Sequence, residues 1–275
     1  MQPQGTVSNL PSNATSEKPK HYPQQYGDGD FVFFLHIPKT AGTAITHSIM
    51  PLFNEDRVLT HFQMNNVRKH PIDIYLNAQF LFGHFTYDVY GKRLPRLPTF
   101  ILTFLRDPIA HYVSLFFHLK IDPTFTYTTR LCSEKSVALE IHEAIKNMSL
   151  EAFFEYKNAD IFDNFQTRYL VNGLSDEFSS ASDRALLPVA ERMLLNLPFF
   201  GITEQMKKSM LLLKEAFNSP TPLHVEPVNQ ARNKPEDFSL CDSTRLEIIR
   251  RTETDLKLYK FAVKAFSDRY AALGK

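Results

Sequence analysis

One stretch constrains the fold more than any other: Phe31–Phe53, FVFFLHIPKTAGTAITHSIMPLF. Its first six residues, Phe31 to His36, are apolar up to the closing histidine and read as a buried strand. A tight polar turn follows, Pro38-Lys39-Thr40-Ala41-Gly42-Thr43, leading into Ala44. Ile45, Ile49, Leu52 and Phe53 then recur at helical spacing. A strand, a small-residue loop and a helix in this order can hold a phosphate. The N–H groups of the loop and the first helical turn point at the anion, and the helix dipole favours negative charge there. Lys39 adds a mobile cation, and Thr40 and Thr43 add hydroxyl donors.

The loop does not follow the Walker A order, in which a lysine closes the loop after a second glycine. Here Lys39 comes early, three residues before Gly42. A second unit of the same kind lies downstream. Thr99 to Leu105 reads as a strand ending at Arg106; Asp107 suits an N-cap and Pro108 a first helical residue. Ile109, Tyr112, Val113, Phe116 and Phe117 mark the core face of the helix that follows. Ser114 lies on the flank of that face and can reach the same ligand as Arg106. A guanidinium suits a phosphate because it can donate two parallel hydrogen bonds.

Between these units, the short strand Phe80-Leu81-Phe82 delivers Gly83-His84. A histidine at a strand end, after a glycine, sits at the open edge of the sheet, where α/β enzymes place their ligands. Its ordinary pKa suits proton abstraction near neutrality. The chain has ten histidines, and His36 and His111 compete with His84 for this role. Lys92, Arg93 and Arg96 follow closely. They can grip an anionic acceptor or form a solvated basic loop.

The order H-I-P-K-T-A-G-T-A, the R-D-P-x-x-x-x-x-S unit and the G-H step together resemble the PAPS-dependent sulfotransferases of the membrane-type carbohydrate class, including the uronyl 2-O-sulfotransferases. The resemblance covers about residues 31–265. It implies an α/β, P-loop-like three-layer fold with a mostly parallel central sheet and helices on both faces. It implies that Pro38 to Ala44 cradle the 5′-phosphosulfate of PAPS (3′-phosphoadenosine 5′-phosphosulfate), with Lys39 on the leaving oxygen. Arg106 and Ser114 would then hold the 3′-phosphate, and His84 would act as the base. In some uronyl relatives a second histidine stands two residues before the base; here that position is Phe82. Weaker echoes are Asn164-Phe165-Gln166-Thr167-Arg168, the F-G-I-T-E step at Phe200–Glu204, and Asp255-Leu256-Lys257-Leu258-Tyr259. A polar loop carrying Asn229, Arg232 and Lys234 corresponds to one that folds over the nucleotide. The implied acceptor is a hydroxyl of a carbohydrate or glycoconjugate, and no metal is expected. Two other readings fit the first loop: a P-loop kinase or NTPase acting on a small molecule, and a non-catalytic PAP-binding protein.

Composition narrows the remainder. With 275 residues, 43% hydrophobic, the chain can build one sizeable core. A net charge of +1 gives no support to nucleic-acid binding. Cys132 and Cys241 have no metal-ligand spacing. Residues 1–29 are polar and rich in Pro, Ser, Asn and Gln, and read as a disordered tail before a single domain over 30–275. No run approaches the ~20 apolar residues of a membrane span, and no secretory signal is visible. The expectation is a soluble, cytoplasmic, bacterial-type form. Residues 121–160 read as a helical excursion beside the acceptor cleft, with Ser149 capping a helix. Leu186–Leu195, Glu204–Phe217 and Ser243–Leu273 each read as a helix, with Thr203 capping the second.

Overall fold

The structure, a computed structural model, describes residues 25–27, 29–60, 63–64, 69–87, 94–122, 135–172, 174, 181–225 and 238–274. Five strands form one sheet: β1 (Val32–Leu35), β2 (Val58–Leu59), β3 (Phe80–Gly83), β4 (Phe100–Leu105) and β5 (Phe199–Ile202). Their spatial order is β2-β3-β1-β4-β5, and every pairing is parallel. Parallel strands are covered on both faces, which is why they read as continuous apolar runs. All four residues of β1 are fully buried, as the run of aromatics requires. This is the α/β architecture expected, with helices around a parallel sheet.

The loop after β1 leads into α1 (Gly42–Ile49), and a 3-10 turn at Met50–Leu52 ends that helix earlier than its apolar pattern suggests. After the short α2 (Asp73–Leu76), the helix α3 (Pro108–Leu119) follows β4. Its cap is as predicted: Asp107 accepts from the Ala110 N–H at 2.9 Å, and Pro108 fills the first position. Ile109, Tyr112, Val113 and Phe116 are buried, whereas Phe117 is half-buried and meets Phe238 edge-on at 4.9 Å.

The excursion contains α4 (Lys135–Ile145) and α5 (Leu150–Phe154), the latter capped by Ser149. It packs against the end of α3. His142 bonds the Leu119 carbonyl at 2.7 Å, and Phe153 meets Phe116 at 5.4 Å. Next come α6 (Phe165–Val171), α7 (Asp183–Asn196), α8 (Met206–Ala216), α9 (Asp242–Arg251) and α10 (Glu253–Ala271).

Three expectations change here. The last helix is two, broken at Thr252, because Asn164 takes the N–H groups of Thr254 and Asp255 and so starts α10 afresh. Leu246, an apolar residue within the span read as that last helix, is 65% exposed rather than packed. Thr203 caps nothing; it opens a 3-10 turn, Thr203–Gln205, before α8. At the other end, the fold reaches back into the span read as tail. The Tyr26 N–H donates to the Ala216 carbonyl at 2.7 Å, and its ring packs against Phe53, Phe100 and Phe217. No helix among the described residues is long and apolar enough to cross a membrane.

Candidate functional site

Parallel strands deliver their C-terminal ends to one edge, and in open α/β sheets the ligand crevice lies outside that edge. Four adjacent strands end here in polar groups. His84 follows β3, His36 and the phosphate-type loop follow β1, Arg106 follows β4, and Thr203 and Glu204 follow β5.

The loop is held in a conformation that side chains rarely adopt. Lys39 has φ 69° and Ala41 φ 68°, both left-handed and neither a glycine. Such strain persists only where the surroundings over-determine it. The restraints are visible. The Thr40 hydroxyl donates to the Ile37 carbonyl at 2.7 Å, the fully buried His111 bonds the Pro38 carbonyl at 2.8 Å, and an Arg106 Nη donates to the Lys39 carbonyl at 2.9 Å. The Thr203 hydroxyl reaches the Thr40 carbonyl at 3.4 Å. No side chain caps α1, and its first turn carries no acid. The first-turn N–H groups are therefore without a side-chain acceptor, which suits an anionic ligand.

Two details depart from the expected donor set. The Thr40 hydroxyl is buried and turned inward, so it does not face a ligand; Thr43 is the exposed hydroxyl of the loop. His111 does not compete as a base, since its ring is wholly buried beneath the loop. Burial drops its pKa to about 3, with the charges of Arg106 and Lys39 acting in the same direction and the bond to Pro38 opposing.

Lys39 and Arg106 share this crevice. Burial lowers the pKa of Lys39, and the neighbouring guanidinium of Arg106 adds to the effect. Burial also lowers that of Arg106, against the opposing pull of Glu204 and Asp107. Two cations this close, and partly desolvated, call for an anion between or beside them. Ser114 lies on the half-buried stripe of α3 formed with Ala110 and His118. That stripe runs alongside Lys39: burial, then the charge of Lys39, lowers the His118 pKa to about 4, while Asp122, 3.6 Å from the His118 ring, opposes.

Arg106 is set by groups from three further elements. Gln166 on α6 accepts from the Arg106 backbone N–H at 2.9 Å and donates to its carbonyl at 2.8 Å. Glu204 accepts from the Asp107 N–H at 3.0 Å and from the Tyr259 hydroxyl at 2.7 Å. These contacts account for the N-x-Q, T-E and D-x-x-L-Y segments as a frame around one arginine. Arg168, in contrast, forms a two-pronged pair with Asp183 at 2.7 and 2.9 Å and braces α6 against α7.

His84 lies beside the loop, its ring 4.9 Å from that of His36. Arg96 lies elsewhere, at the edge where the strands begin. It donates to the Gly29 carbonyl and sits over the Phe31 ring at 5.7 Å, so the geometry separates it from the crevice. Lys92, Arg93, Asn229, Arg232 and Lys234 lie outside the described residues. No cluster of three or more metal-ligating side chains occurs among the described residues.

Three groups named in the sequence act through contacts that local sequence does not give: His111, Glu204 and Tyr259. Each acts across a sequence separation of more than fifty residues, and only the apolar spacing around His111 hints that its ring points inward.

The chain matches the profile of the sulfotransferase family over residues 26–262. It is similar to heparan-sulfate 6-O-sulfotransferase 3 of Mus musculus, 26% identical over 185 residues, covering 62% of this chain and 38% of the mouse protein. It is also similar to heparan-sulfate 6-O-sulfotransferase 1 of Cricetulus griseus, 26% identical over 197 residues, covering 66% of this chain and 48% of the hamster protein. The human protein of that name gives 26% identity over 197 residues, with 66% and 47% covered. The chain therefore spans less than half the length of these relatives.

Proposed function

The chain belongs to the sulfotransferase family, and on that premise we propose that it moves the sulfuryl group of PAPS to a hydroxyl of a carbohydrate or glycoconjugate. The observation that carries the reading is the bond from Arg106 to the carbonyl of Lys39. It joins the two anion-binding units into one crevice, as a nucleotide with phosphates at both its 3′ and 5′ positions requires. An NTPase reading of the loop gives Arg106 and Ser114 no such task.

PAPS, when bound, supplies the activated sulfuryl group and a phosphate leaving group. The residues present fit it: an uncapped helix start, a lysine and an arginine, with no competing acid in the first turn of α1. Lys39 and the N–H groups of the loop and α1 hold the 5′ end and offset the charge that builds on the leaving oxygen. Arg106, fixed by Gln166 and Glu204, holds the 3′-phosphate together with Ser114. His84 accepts the proton of the acceptor hydroxyl through a ring nitrogen as the oxygen attacks in line. The acceptor class follows the relatives named above, which act on heparan sulfate. A sugar hydroxyl on a polysaccharide or glycoconjugate is the corresponding substrate.

Calorimetry with PAP, followed by transfer of labelled sulfate from PAPS to a panel of glycans, tests the proposal. PAP should bind, and binding should weaken sharply when the 3′-phosphate is removed. At least one glycan should be labelled, and His84→Ala should lower labelling by about 10²–10⁴-fold, leaving a measurable residue, while retaining PAP. Equal affinity for nucleotides with and without the 3′-phosphate would refute the assignment.

A further inference from the structure

We propose that His36 is a positioning residue for His84: its ring forms the face against which the base is held and charged. The inference rests on the reading of His84 as the base. It starts from the strand register. Phe34 of β1 pairs with Phe82 of β3, and Leu35 with Gly83. His36 and His84 each come directly after that last pair, so the register brings them out of the sheet side by side. Their rings are 4.9 Å apart between centroids and inclined by 35°.

His36 has little room to move. Its other face lies 5.1 Å from the Phe34 ring, at 32°. Its edge lies across the start of α1. A Cβ at Gly42 would stand 1.9 Å from His36 Nε2 and 2.2 to 2.3 Å from two ring carbons. The one glycine of the loop thus makes space for this ring, and His36 is wedged between Phe34, the α1 backbone and His84. A ring fixed on three sides fixes the plane of the ring beside it, and small errors in the aim of a base are costly.

The same contact bears on the charge that develops. The acceptor oxygen forms its bond to sulfur, the bond from sulfur to the phosphate oxygen breaks, and the electron pair leaves on that oxygen. The hydroxyl proton passes to His84, which becomes an imidazolium. An aromatic face a few ångströms away attracts a cation. His36 exchanges no proton in this step; it acts through His84.

A double-mutant cycle on the full chain tests this, using PAPS and whichever glycan of the panel accepts sulfate best. His36→Leu, which removes the ring, should lower kcat by about 10-fold or more. His36→Phe, which keeps a ring face, should stay within about 3-fold of the parent protein, as a packing-conservative change. PAP affinity should be unchanged in both, and His36→Leu should cost nothing further in a His84→Ala background. Should His36→Leu not fold, His36→Gln, which is polar but lacks a ring, is expected to show the same loss. Full kcat in the ring-less variants, a loss in His36→Phe as large as in His36→Leu, or a loss that persists without His84 would each overturn the proposal. Undiminished turnover by His84→Ala would instead remove the base reading, and this inference with it.

Discussion

At the scale of single residues, the site depends on polar groups taken partly or wholly out of water. Lys39 should be costly to lose. Lys39→Ala removes the charge beside the leaving oxygen and is expected to lower kcat by about 10²–10³, with a smaller effect on PAP affinity, as separate measurements of turnover and binding will tell. Arg106→Lys should weaken PAP about tenfold or more, because one ammonium cannot keep both the Lys39 carbonyl and a two-pronged hold on phosphate. Unaltered PAP affinity in that variant would place the 3′-phosphate elsewhere. His111 gives a signature in pH. Folded, its pKa sits at about 3, while the unfolded chain takes up the proton near 6.5. Between those values the unfolded state binds more protons, so stability falls as pH falls. From about pH 6.5 to about pH 5 the loss from this one group is about 2 kcal/mol. In His111→Asn, whose amide can donate to the Pro38 carbonyl without titrating, urea denaturation should show a shallower pH dependence. Equal slopes in variant and parent would contradict it.

At the scale of elements, α6 and α10 start each other. Asn164 precedes α6 in a left-handed conformation (φ 47°) and accepts from the Thr254 and Asp255 N–H groups at 2.8 and 3.1 Å. Asp255, in the first turn of α10, accepts from the Gln166 N–H at 3.0 Å, and from the Thr167 N–H and hydroxyl at 2.7 and 2.6 Å. The exchange places Gln166 where it can grip Arg106. Asp255→Ala leaves buried donors without their acceptor and should cost about 2 kcal/mol or more, read as a shift in denaturation midpoint. PAP affinity should fall with it, because Gln166 loses its anchor. Leu246→Ala, on an exposed position of α9, serves as the control and should change stability by no more than about 0.5 kcal/mol. Two helix caps were legible because they are local: Asp107-Pro108 and Ser149 start helices as their chemistry dictates, whereas Thr203 does not. The break at Thr252 was not, since its cause is an asparagine some ninety residues away.

At the scale of the whole molecule, a nucleotide that spans the crevice ties the ends of β1 and β4 together. PAP at about 100 times its Kd should stabilise the fold by about 2.7 kcal/mol, or a rise in Tm of about 5–10 °C for a chain of this length. ADP at the same concentration should give much less, and Arg106→Ala should erase the difference. Equal protection by the two nucleotides would argue against a two-ended grip. The apolar runs, the helical spacings and the two loop motifs are properties of neighbouring residues, so the strands, the helices and the polar groups at two strand ends could be read from the chain alone, and the resemblance carried by those motifs implied the parallel α/β sheet. Strand order could not, because pairing is a choice among distant partners. That order sets His36 beside His84, brings Arg106 onto the Lys39 carbonyl, and carries Arg96 to the far edge of the sheet. Residue type and spacing determine which groups can do chemistry; packing between remote segments decides which of them meet.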